Sequence, residues 1–168
     1  MKAHFRYIGR EDFTIGTDDG EQLTGKDAAN KLIEEWGLDI DADEAQSAYN
    51  GRPGRKPGKL VPNIVLSMPA GTPPEKVLAA SRDFARETFA FQHRYALVLH
   101  TNEPHPHVHL VVRAMGEHGK RLNIRKATLQ EWRQEFAGHL RAQGVAANAT
   151  PRPVRGETRV HKRDGIFR

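Results

Sequence analysis

Four histidines fall within ten positions of this chain, in the run His100-Thr101-Asn102-Glu103-Pro104-His105-Pro106-His107-Val108-His109. Side chains alternate across a strand, so His107 and His109 project from the same face of a strand that holds both. His100 ends an apolar run of its own, and the short proline-containing loop folds that run back on the next. Directly opposed residues of an antiparallel pair share a face, which lets His100 join the other two. Three neutral imidazoles converging on one point suit a divalent transition ion such as Zn, Mn or Co, and leave positions open for water or substrate. An open site is what a Lewis acid at a phosphate needs. The competing reading, strand-end histidines that bind nothing, is weakened by the alternation and by the stiff Pro-His-Pro-His sequence. His105 sits on the loop, with no face fixed for it.

The elements that must hold this cluster are legible around it. Arg94 to His100 and His107 to Met115 read as two antiparallel strands, with Val108, Leu110 and Val112 alternating onto the face opposite the histidines, beside Leu97 and Leu99. Arg113 shares the parity of His107 and His109. Asn63 to Met68, bracketed by Pro62 and Pro69, reads as a buried strand. Residues 73–89 form an amphipathic helix, with Thr72 expected as its N-cap, Pro73 at the first helical position and Glu75 completing a capping box. Thr128 and Glu131 repeat the box before a helix whose stripe is Leu129, Trp132, Phe136 and Leu140, ending at Gly144. Residues 26–36 are helical, stopped by Gly37. Asp18-Asp19-Gly20 is a turn, and residues 3–10 are a short helix or strand. Strand, helix, strand, strand, helix implies an α+β two-layer sandwich, with a central antiparallel sheet carrying the His cluster and helices packed on one face.

Composition sets the outer limits. The chain has 168 residues, 38% hydrophobic and 28% charged, which suits one globular domain. We place that domain at 1–150 and a basic tail or linker at 151–168. No apolar run approaches a membrane span, so no membrane insertion is expected, and the first residues hold no apolar signal core. The absence of cysteine excludes thiolate metal sites, disulfides and a cysteine nucleophile. A formal charge of +5 suggests a polyanionic partner. Arg52, Arg55, Lys56 and Lys59 crowd one Gly/Pro-rich stretch, whereas Asp39 to Glu44 is acidic; solvated loops are the plain reading of both.

The histidine run, continuing as Leu110-Val111-Val112, resembles the three-histidine motif of relaxases, the VirD2-like mobilisation nucleases of the HUH class. His4-Phe5-Arg6-Tyr7-Ile8-Gly9-Arg10 is similar to the segment that holds the catalytic tyrosine in that family. Leu66-Ser67-Met68-Pro69, followed by a Pro-Glu helix start, resembles the middle motif, whose serine lies near the DNA. The resemblance runs from the N-terminus to about Gly144. Family members usually have a strand before the tyrosine segment, which here begins almost at Met1.

The resemblance implies site- and strand-specific nicking at a plasmid or integrative-element origin of transfer. Tyr7 would attack the scissile phosphate and leave a 5′-phosphotyrosyl DNA with a free 3′-hydroxyl. His100, His107 and His109 would hold the divalent ion, Mg or Mn in the first place and otherwise Zn, Co or Ni. Asn102 stands where the family usually has an aspartate at the reacting centre; an amide hydrogen-bonds an imidazole but cannot serve as a base. His105, Ser67 and Arg10 are candidates for supporting the ligands or touching DNA, and Arg52, Arg55, Lys56 and Arg113 for binding the single strand. Tyr7 as a mere packing residue is the alternative; Tyr49, beside a loop, and Tyr95, in an apolar strand, fit a nucleophile less well. Expected partners are single-stranded DNA at the transfer origin, accessory relaxosome proteins and the coupling protein of a type IV secretion system. The expected location is the bacterial cytoplasm, with passage to a recipient cell on the DNA. Rival readings are a rolling-circle replication initiator, a non-catalytic DNA-binding autoregulator and a metal-dependent hydrolase of small phosphate esters.

Overall fold

A computed structural model of the chain describes residues 13–25, 27–49 and 58–149. The elements run β1 (Ile15–Thr17), β2 (Gln22–Leu23), α1 (Ala28–Glu35), α2 (Leu38–Tyr49), β3 (Asn63–Ser67), α3 (Pro74–Phe89), β4 (Tyr95–His100), β5 (His107–Val112) and α4 (Lys126–Ala142). The strands form one sheet in the order β2-β1-β4-β5-β3, antiparallel at every junction. The α+β architecture with a central antiparallel sheet is thus the one expected. Among the described residues no helix is long and apolar enough to cross a membrane.

Alternation along β4 and β5 sorts their side chains into two cores. Tyr95, Leu97, Val108, Leu110 and Val112 face α3 and α4, which contribute Val77, Ala80, Phe84, Phe89, Trp132, Phe136 and Leu140. Phe84 is fully buried and meets Phe89, Trp132 and Phe136 edge-on, at centroid distances of 6.2, 6.3 and 6.2 Å. Such edge-to-face contacts add about 0.5–1.5 kcal/mol each beyond the area buried.

The other face carries Ile15, Ala96, Val98 and Val111 in its lower half and the histidines in its upper half. Leu32, Ile33, Trp36 and Leu38 pack on that lower half. The two long helices therefore lie on one face, as expected, and the shorter pair α1 and α2 adds cover to part of the histidine face. The acidic run 39–44, expected as a solvated loop, lies in α2. Asp41 of α2 takes both ends of the Arg113 guanidinium, Nε and Nη2, at 2.9 Å each. Arg94 ties the same region together from the base of β4: Nε reaches Asp18 Oδ2 at 2.7 Å and Nη2 reaches Glu35 Oε1 at 2.7 Å.

Two helix starts differ from the sequence expectation. Thr72 does not cap α3; Pro73 is the N-cap, and Thr72 Oγ1 instead donates to Pro69 O at 2.9 Å, closing the preceding turn. Pro74 follows at the first helical position, where its missing N–H removes one donor that would need a partner. In α4 the N-cap is Arg125, so the helix begins before Thr128; the threonine hydroxyl reaches back to accept from Arg125 N at 3.4 Å. Its end is as expected, with Gly144 at φ +73 just past the last turn. Regular pairing of β5 stops at Val112 rather than continuing to Met115, which bridges Arg121 alone.

Candidate metal centre

His100 closes β4 and His107 opens β5, and the two are Cα partners, the last rung of the pair. His109 lies opposite Val98 on one side and Val65 on the other. Strand parity thus delivers three imidazoles to one spot. Their ring centroids are 4.7 Å (His100–His109), 5.2 Å (His100–His107) and 5.3 Å (His107–His109) apart. One ring nitrogen from each lies within 4.8 Å of the others. Two nitrogens on one ion at about 2.0–2.1 Å are at most about 4.2 Å apart, so small torsional changes suffice to close the set. The residues present fit a divalent ion, since neutral imidazoles are common ligands of first-row transition metals.

Burial differs across the triad. His100 and His109 are buried, at 5% and 8% exposure, while His107 is half-buried at the rim. One side of the site is therefore walled by the protein, and among the described residues His107 stands at its more exposed edge. His107 Nδ1 is 3.0 Å from the carbonyl oxygen of His105, an acceptor that fixes the proton on Nδ1 and leaves Nε2 for an ion. His109 Nδ1 meets the side-chain amide of Asn63, 3.0 Å from Nδ2 and 3.3 Å from Oδ1. With an ion on Nε2, Nδ1–H must donate to Oδ1, and a turn of the amide provides that. His100 lies under Phe13: the two rings stack in parallel, with centroids 4.2 Å apart and planes 3° from coplanar.

The remaining expected site residues divide by position. Ser67 is exposed at the end of β3 and is the Cα partner of His107, which brings it to the rim of the site. Asn102 and His105 are exposed in the loop between β4 and β5, and that loop is tied to β3 by Met68 N donating to Pro106 O at 3.1 Å. Arg113 lies at the far end of β5 with its charge compensated by Asp41. Tyr7, Arg10, Arg52, Arg55 and Lys56 lie outside the described residues. Sequence reasoning missed Asn63 and Phe13. Asn63 opens a strand whose register against β5 no local pattern reveals. Phe13 did carry a signal, since it precedes Ile15 by two and so shares its parity.

Residues 15–145 match the family described as relaxase, MobA/VirD2-like, nuclease domain. The chain belongs to this relaxase family. It is similar to the T-DNA border endonuclease VirD2 of Agrobacterium fabrum, at 33% identity over 110 residues, covering 60% of this chain and 25% of that protein. It is also similar to the T-DNA border endonuclease VirD2 of Rhizobium radiobacter, at 29% identity over 141 residues, covering 77% of this chain and 32% of that one. The chain therefore spans a quarter to a third of the length of these relatives. A solved structure described as "Molecular Basis of Vancomycin Resistance Transfer in Staphylococcus aureus" is 20% identical, with a TM-score of 0.45 over 64% of this chain and 63% of that one.

Proposed function

We propose that this relaxase domain nicks one DNA strand at an origin of transfer by metal-assisted transesterification, with Tyr7 as nucleophile. The observation that carries the reading is the convergence of His100, His107 and His109, with ring nitrogens within 4.8 Å, in a chain of this family. A divalent cation bound there supplies positive charge beside the non-bridging oxygens of a phosphodiester, where negative charge grows in the transition state. The more exposed edge at His107 leaves room for that phosphate.

The chain's own residues do the rest. Tyr7 Oη attacks phosphorus, the P–O3′ bond breaks, and the departing O3′ takes up the proton that the phenol gives up. The phosphotyrosyl bond keeps the energy of the phosphodiester, so the same 3′-hydroxyl can reverse the step. Tyr7 precedes Phe13 by six residues, and six residues reach at most about 20 Å. Phe13 stacks on His100, and a separation that short supports the reading of Tyr7 as the nucleophile. Val65, 52% exposed and directly opposite His109, offers apolar surface to a nucleotide, and Ser67 offers a hydroxyl beside His107. Arg10, Arg52, Arg55 and Lys56 supply cationic charge for the backbone of the single strand. Accessory proteins, a coupling protein and delivery to a recipient cell belong to the same proposal.

Nicking of a labelled single-stranded oligonucleotide from the element's own transfer origin tests it. Chelation should abolish cleavage, and His107→Ala should lower its rate at least about a hundredfold. Cleavage that survives both would remove the metal from the reaction. Asn102 favours one other reading, a domain that binds the origin without cutting it, because an amide cannot act as a base. Tight origin binding with no nicking in any metal would support that reading instead.

A further inference from the structure

We infer that Phe13 is a positioning residue, a stacking platform that fixes the ring plane of His100. The inference rests on the metal-site reading above and extends it to a residue outside the triad. His107 and His109 are each oriented through Nδ1, by the His105 carbonyl and the Asn63 amide. His100 carries an aromatic ring lying flat on it at 4.2 Å with only 3° between the planes. A parallel stack at that distance resists rotation of the imidazole about its last torsion, because any tilt drives one ring edge into the other.

The placement follows from the strand. Ile15 is the Cα partner of Val98, so two residues further toward the N-terminus the antiparallel register brings Phe13 over His100. Ile15 is itself 2% exposed, packed with Ala96 and Val98, which anchors the strand and holds Phe13 in place.

The test is metal binding by the full chain, read by Co(II) absorption and by calorimetry, with no DNA present. Phe13→Leu keeps the apolar volume and loses the flat ring, and should weaken Co(II) binding about tenfold, whereas Phe13→Tyr should stay within about twofold of the parent. The melting temperature of each variant is measured beside it. A leucine variant that binds Co(II) as tightly as the parent, with an unchanged d–d spectrum, overturns the inference. A second reading needs no variant: ring currents from the stack should shift the His100 imidazole protons upfield of those of His107 and His109 in the parent protein. Absence of that shift overturns the inference even if Phe13→Leu does not fold. A parent chain that binds no Co(II) refutes the metal-site reading itself, which separates the two failures.

Discussion

The side-chain amide of Asn63 lies 3.0 Å from Nδ1 of His109, linking the edge strand β3 to a buried imidazole of the triad. Partners of this kind set the tautomer of a ligand ring, and their loss typically weakens metal binding about 10- to 100-fold. Asn63→Leu should therefore weaken Mn(II) or Co(II) binding by at least about tenfold, while Asn63→Asp, which keeps an acceptor for Nδ1–H, should retain it. Titration calorimetry decides, and equal affinities for all three proteins would detach Asn63 from the site.

The basic residues Arg55 and Lys56 give a prediction about DNA rather than metal. Reversing the charge of Arg55 and Lys56 should weaken binding to single strands of every sequence alike. If each contacts a phosphate, the slope of log K against log salt should flatten by about 0.7 per lost contact. An unchanged slope would place these two residues off the DNA path.

Phe84 bears on stability. Fully buried and ringed by Phe89, Trp132 and Phe136, it holds α3 and α4 to the sheet face behind the histidines. Phe84→Ala should cost about 3–5 kcal/mol in urea unfolding. A cost under about 1 kcal/mol would mean that this core collapses around the gap.

Acid should act through the β1–β2 turn. The Thr17 hydroxyl hydrogen-bonds the Asp19 carboxylate and, with the Glu21 backbone N–H, lowers its pKa below the usual 3.8. A group with a depressed folded pKa contributes stability that is present above the unfolded value and lost as pH falls through the folded one. Neighbouring Asp18 is shifted the other way, raised chiefly by burial, so its contribution runs opposite in sign and is lost as pH rises through its folded pKa. Asp19→Asn should therefore lose less stability than the parent as pH falls below about 4. Parallel acid limbs in urea unfolding at a series of pH values would contradict this.

How much of this could be seen beforehand varies with the kind of information each residue needs. The triad was legible because its logic is local: two-residue alternation fixes His107 and His109, and a short loop fixes His100 opposite them. Helices α3 and α4 were legible for the same reason, their apolar stripes recurring along one segment. Strands β1 and β2, with three and two residues, are too short to show a period. Helix α2 hid behind its acidic residues; what steadies Asp41 is Arg113, distant in sequence. The cover that α1 and α2 give the lower histidine face depends on the strand order, which no segment specifies alone. Asn63 and Phe13 belong to this second class, since each acquires its partner only through the pairing of strands. Thr72 failed as a cap because two prolines follow it, and the chain turns through Pro69 before the helix begins.

The most direct test of the central claim is the covalent intermediate. The full chain, Mn(II) and an end-labelled single strand from its own transfer origin are mixed, denatured and run on a gel, with Tyr7→Phe alongside. The expected result is a protein–DNA species that survives denaturation, requires the metal and is absent from the Tyr7→Phe lane. An adduct that persists in Tyr7→Phe, or cleavage that never passes through an adduct, would contradict the account.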